Sequence, residues 1–192
     1  MRDHLAKIIA GLCGAALVAA CGSQPGAGAN DGAAATATAD APAAAGAMPA
    51  NWNATDACSI IDKATMGEVL GAPVTETALG LVHEPGTADA GTSECTYTLA
   101  DGRATVMTRW SPINDNVEGS INAARSAAKQ VVAAFGKGTV EDIPDLGKAS
   151  IWVDGIGQLQ TFIDDARMVM ITVPSRPDAK NKAVALARKA GA

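Results

Sequence analysis

Very few residues in this chain could carry nucleophilic or acid–base chemistry. Of four cysteines, Cys13 lies inside an apolar N-terminal stretch, Cys21 closes it, and Cys58 and Cys95 remain in the body of the chain. Beyond that stretch His83 is the one histidine. A Ser-His-Asp triad, a Cys-His pair or a histidine-rich zinc site would each need it. No Gly-x-Ser-x-Gly or His-Glu-x-x-His pattern surrounds it. It falls in Gly80–Thr92, a Gly- and Pro-containing stretch that reads as a loop, so an ordinary loop residue is expected. Carboxylates cluster at Glu141-Asp142 with Asp145, and at Asp164-Asp165. Structural duties absorb most acids: Asp101 and Asp154 precede Gly in hairpin turns, Asp115 and Asp178 fit helix caps, and Asp164-Asp165 fits a turn. Asn114-Asp115-Asn116 lacks the spacing and final Glu of a calcium loop. Gly155-Ile-Gly157 has no third Gly three positions on, so no phosphate cradle is expected. The residues therefore predict no catalytic set, no metal site and no cofactor. A carboxylate- or His83-dependent enzyme stays as the rival class.

The chemistry that the sequence does announce is acylation. Arg2 and Lys7 give a positive start, Ile8–Ala20 is a short apolar run, and Leu17-Val-Ala-Ala-Cys21 ends it. That is the three-part layout of an export signal. Its 13 residues are fewer than the roughly 20 needed to span a bilayer. Cys21 after Val-Ala-Ala resembles the bacterial lipoprotein signal, in which that Cys is acylated and becomes the first mature residue. Residues 1–20 are thus expected to be removed. Lys+Arg then falls from 15 to 13 and Asp+Glu from 20 to 19, which moves the net charge from -5 to -6. An acidic chain without a basic cluster is a poor ligand for nucleic acid or anionic lipid, so membrane attachment would come from the lipid anchor. Gly22 is not acidic, which tilts the expected address toward the outer rather than the inner membrane, facing periplasm or exterior.

In an oxidising compartment Cys58 and Cys95 form an even pair with a single possible bridge. Redox pairs usually sit two residues apart, and these do not, so a structural disulfide is expected over free thiols. It would close a loop of 38 residues and stabilise the fold by about 4 kcal/mol on a chain-entropy account.

Residues 21–51 hold the lipidated Cys and then a segment without Leu, Ile, Val or an aromatic. Such a segment buries too little apolar surface to offset its ordering entropy and is expected to be a disordered tether. Residues 52–192 are long enough for one core. A helical start is predicted over Asp56–Leu70, with Asp62 capping Lys63–Leu70, Met66, Val69 and Leu70 inward, and Gly71 ending it. Pro73–Ala78 reads as an edge strand. Cys95, Tyr97 and Leu99 alternate onto one face, Asp101-Gly102 turns the chain, and Ala104–Trp110 returns. Asp115-x-x-Glu118 has capping-box form before a long helix. In it Ile121, Ala124, Ala128, Val131 and Phe135 face inward, and Gly136 stops it. Ile143–Gly147 reads as a turn. Ser150–Asp154 and Gln158–Ile163 read as a hairpin around Asp154-Gly155. Met168–Val173 reads as a central strand covered on both faces. Ser175-Arg-Pro-Asp178 has capping-box form before a last helix, with Ala183, Val184, Ala187 and Ala190 inward. Hairpins dominate, so the class is α+β: a two-layer, mostly antiparallel sheet packed against helices.

Trp110 and Trp152, both in predicted strands, are candidate binding residues alongside His83, since Trp is enriched at binding hot spots. A place in a core short of aromatics is the expected alternative. Three segments resemble a group of small bacterial envelope lipoproteins of unknown function, with some similarity to the extracellular sensor heads of bacterial kinases. They are Ala57-Cys-Ser-Ile-Ile-Asp62 with Val69-Leu-Gly71, Ser93-Glu-Cys-Thr-Tyr97, and Ile143-Pro-Asp-Leu-Gly-Lys-Ala149. The resemblance covers most of 56–190. It implies a disulfide from the first helix to a strand and an α+β head, and it carries no catalytic residues. The expected function is a membrane-anchored, non-enzymatic binding or accessory module with a protein or small-molecule partner in the envelope. A purely structural envelope protein is the third class.

Overall fold

The computed structural model describes residues 46–136 and 138–192. The expected signal, Cys21 and the expected tether up to residue 45 lie outside the described residues, as do Lys137 and the side chain of Phe135. The chain runs α1 (Ala57–Ile60), α2 (Lys63–Leu70), β1 (Val74–His83), β2 (Gly91–Leu99), β3 (Gly102–Trp110) and α3 (Glu118–Phe135). It continues β4 (Val140–Asp142), β5 (Ala149–Val153), β6 (Gln158–Phe162), β7 (Arg167–Thr172) and α4 (Ala179–Lys189). All seven strands form one antiparallel sheet in the order β1-β2-β3-β7-β6-β5-β4. This is the expected α+β class, with the expected Cys58–Cys95 disulfide.

Local signals explain most elements. The Asp62 carboxylate accepts from the Thr65 amide at 2.7 Å, and Gly71 closes α2 at φ 65°. Residues Ile61 and Asp62 split the predicted first helix in two. β2 buries every second residue from Gly91 to Leu99, the period of a half-covered strand. Three glycines are required by close approach, Gly138 because a Cβ there would run into the Gly155 backbone nitrogen. A Cβ at Gly157 would lie 2.5 Å from the Val173 carbonyl oxygen, and one at Gly147 would lie 2.6 Å from that of Phe162.

One face of the sheet carries the main core. Cys95, Tyr97, Leu99, Ala104, Val106, Trp110, Leu159, Val169 and Ile171 pack against α1, α2 and α4. Helix α4 presents Ala179, Ala183, Leu186 and Ala187 to it. Val184 is only half-buried. On the opposite face α3 lays Ile121 on Ile151, Phe162 and Met168, with Ala124 and Ala128 beside them. The connection β3–α3–β4 carries the chain from the sheet's middle to its far edge, so α3 covers the half that contains β4 to β7.

Several local expectations are corrected. β1 runs on to His83, and the loop shrinks to 84–90. A bulge between Gly80 and His83, with Leu81 at φ 49°, lets the strand continue. Asp115 does not cap α3. The cap position is Val117, with no side-chain bond, because the Asp115 carboxylate is held by Arg109 at 2.5 Å. Ser175 caps nothing. Asp178 takes the cap position of α4 and pairs with Lys182 one turn on. The β5–β6 reversal is a short 3₁₀ turn, Asp154–Ile156, closed by Gly157. β7 lies mid-sheet, yet helix cover reaches only Met168 on its α3 side; Met170 and Thr172 are half-exposed.

Candidate functional site

The part of the sheet that α3 leaves bare is an ordered polar and thioether surface. Alternation puts Thr92, Glu94, Thr96 and Thr98 of β2 there, with Arg103, Thr105, Met107 and Arg109 of β3. Register sets them in rows. Ala78, Thr96, Thr105, Thr172 and Gln158 lie side by side across five strands. The next row is Gly80, Glu94, Met107, Met170 and Gln160. The third is His83, Thr92 and Arg109, and it continues into Met168 and Phe162, which α3 covers. Neighbouring strands are about 4.8 Å apart, so five of them offer a floor roughly 19 Å wide.

Helix α3 forms a wall beside this floor. A cleft of about 200 Å³ runs along its foot, lined by Arg109, Asp115, Asn116, Ser120, Gln160 and Met168 among others. Arg109 reaches Asp115 at 2.5 Å and the Asn116 side-chain oxygen at 3.3 Å. This guanidinium, more than any other cause, holds the Asp115 carboxyl below its ordinary range. Asn116 is 1% exposed. Its amide donates to the Asp164 and Arg167 carbonyls at 2.9 and 3.0 Å. Lys148 donates to the Asn116 carbonyl and pairs with Asp165. Burial pushes the Asp164 carboxyl up, but hydrogen bonds from the Arg167 and Ala166 amides and the Arg167 guanidinium outweigh it and leave it lowered. The carboxylates here are thus pinned as structural anions. Neither Asp115 nor Asp164 has the raised pKa that a general acid needs at neutral pH. Among the described residues no group of three or more His, Cys, Asp or Glu is placed to hold a metal.

The sequence candidates scatter. Trp152 is 2% exposed and sits in the main core. Trp110 is 8% exposed, also faces the helix layer, and touches a second cleft formed with Gly46, Pro49 and Arg167. Both fill the core; neither looks onto the open face. His83 ends β1 and is exposed. It stands at the corner of the open face opposite Thr92, in a strand rather than a loop. Cys58 and Cys95 are bridged and so supply no nucleophile. Cys21 lies outside the described residues. Glu141 and Asp142 hold Lys180 and Arg125 on opposite sides of the short edge strand β4. A groove of about 590 Å³ between α2 and the start of β1 is lined largely by Ala64, Gly67, Gly71, Ala72 and Pro73. It gathers few polar groups to orient a ligand.

Residue patterns passed over other parts of the site. Met107 and Met170 are ordinary strand residues until register sets them side by side. Buried Ser93 and Thr108 fasten the first helix: Ser93 Oγ accepts from the Ala57 amide and donates to the Ala54 carbonyl, both at 2.8 Å. Thr108 donates to the same carbonyl at 3.1 Å. Trp52 lies under the Arg167 guanidinium, 5.5 Å from ring centroid to carbon. The chain matches no family model, no curated protein and no solved structure. No described helix is long and apolar enough to cross a membrane.

Proposed function

We propose that the chain is an exported lipoprotein, acylated at Cys21, and that its head is a non-enzymatic binding or accessory module of the cell envelope. One observation carries the binding half: the open face of β1, β2, β3, β7 and β6, walled by α3, offers Thr, Gln and Met side chains in register on a rigid sheet. Thr and Gln supply adaptable hydrogen bonds. The Met pair supplies a deformable apolar patch suited to a partner's surface. The likeness to small envelope lipoproteins at the Cys58 and Cys95 segments supports the anchored half. The pinned carboxylates and the bridged cysteines weigh against an enzyme built on them.

The test uses the full chain in a lipoprotein-processing bacterium. Cys21→Ser is expected to abolish palmitate incorporation and to leave precursor or soluble protein. Unchanged labelling with normal membrane fractionation would end the lipoprotein reading. A photo-crosslinking residue at Met107 is expected to give a discrete adduct, while one at Lys189 on the far side of α4 gives none. Adducts from Lys189 alone would move the site off the sheet.

A further inference from the structure

Among the described residues six large apolar side chains stand exposed: Leu79, Leu81, Val82, Ile113, Val117 and Ile156. Their placement is uneven. β1 ends at His83, which faces Thr92, and Thr92 faces Arg109. Trp110 then leads into the loop that holds Ile113, and Val117 caps α3. Leu81, Val82, Ile113 and Val117 therefore share one end of the sheet, with Leu81 72% and Val117 53% exposed. Strands β1 and β3 are two spacings apart, about 10 Å. Ile156 sits in the β5–β6 reversal at the opposite end.

The chain also enters the head at the first of these ends. The Gly46 amide donates to the Pro112 carbonyl at 3.1 Å, one residue from Ile113. Gly46 lies 25 positions after Cys21 (46 minus 21). Even fully extended, 25 residues reach at most about 90 Å, so acyl chains on Cys21 would keep this end within that distance of a bilayer. The tether then supplies a high effective concentration of membrane, and weak apolar contacts suffice. Charge gives little help there. Arg109, Lys148 and Arg167 each already hold a carboxylate, and Glu84 and Asp89 add acid.

We propose that Leu81, Val82, Ile113 and Val117 form an apolar rim that rests on the bilayer anchoring Cys21, which turns the open sheet face sideways to the membrane. The proposal rests on the lipoprotein reading. In the test, full-length acylated chain, its acyl mass confirmed, is placed in phosphatidylcholine vesicles and footprinted with a small carbene reagent. Ile156 is the internal control. Labelling at the four rim residues is expected to fall severalfold against the Cys21→Ser chain in solution, with Ile156 unchanged. Ile113→Asp with Val117→Asp is expected to restore labelling at Leu81 and Val82. Equal labelling at both ends of an acylated chain overturns the rim and leaves the lipoprotein reading standing. A chain with no acyl mass overturns both. Rim protection that grows with the concentration of Cys21→Ser chain without vesicles assigns the surface to a second copy and overturns the membrane contact.

Discussion

The two halves of the sheet meet at the β3–β7 seam and are covered differently. In β2 and β3 only the helix-side face is buried, the edge strand β1 buries Val74 alone, and the other face of β2 and β3 carries Thr, Arg, Glu and Met. In β5 to β7 both faces are buried where α3 crosses: Ile151 and Trp152 are neighbours in sequence, point opposite ways, and are both buried. The cause is topological. An antiparallel meander needs only short turns, so β1 to β3 recruits cover from α1 and α2 on one face alone. The long connection from β3 to the far edge β4 must cross the other half, and its helix becomes that half's second cover. The uncovered quarter follows from where the crossover goes, and that is where a binding surface can exist without cost to the core.

The largest test of this comparison is Trp152→Ala. This side chain is part of the main core on the doubly covered half, so truncation should cost about 3–5 kcal/mol of unfolding free energy, read from the shift in urea midpoint. A loss below about 1 kcal/mol would mean that the ring sits loosely, and it would return Trp152 to the list of contact residues.

Legibility in the sequence follows the same division. The singly covered half was legible because alternation reports directly on one buried face: Cys95, Tyr97 and Leu99 fell where their spacing put them. The Cys58–Cys95 bridge, the Asp62 cap and Gly71 and Gly136 at φ 65° were legible from local chemistry too. What failed depended on distant partners. Gly80 to His83 looked like loop beside Pro85, yet β2 starts at Gly91 and gives them a strand to pair with. Asp115 had cap spacing, but Arg109 on the adjoining strand claims its carboxylate. Trp110 and Trp152 were candidates by residue type, and only the register showed which face each meets. The Met107–Met170 pair joins residues 63 positions apart (170 minus 107), beyond the reach of any local pattern.

A smaller effect should appear in acid at the boundary between the halves. Asp115 and Asp164 both titrate below their ordinary value of 3.8 when folded. A carboxyl lowered by folding adds stability above its unfolded value, and that stability is lost as pH falls through the folded one. Stability measured by urea midpoints should thus hold at pH well above 3.8 and decline as pH falls below it. Asp164→Asn should lower the plateau and flatten the decline, because the Ala166 and Arg167 amides and the Arg167 guanidinium then face a neutral acceptor. An unaltered slope in that window would remove Asp164 as a source of the acid loss.

The smallest expected effect is the sharpest test of the open face. Met168 and Met170 are two residues apart on β7 and point to the same side of the sheet. Met168 is 5% exposed, under α3 with Phe162, whereas Met170 lies half-exposed beside Met107 and Gln160. Met168→Ala should cost about 2–5 kcal/mol as a core truncation. Met170→Ala, removing contacts mostly shared with solvent, should stay within roughly 0.5 kcal/mol, with an unchanged slope of unfolding free energy against urea. Met107→Ala should behave like Met170→Ala in stability, and Met170→Ala should weaken the adduct expected from a crosslinking residue at position 107. A cost of 2 kcal/mol or more at Met170 would show that something in the chain covers this surface. The division between a covered and an open half would then fall, and with it the proposed site.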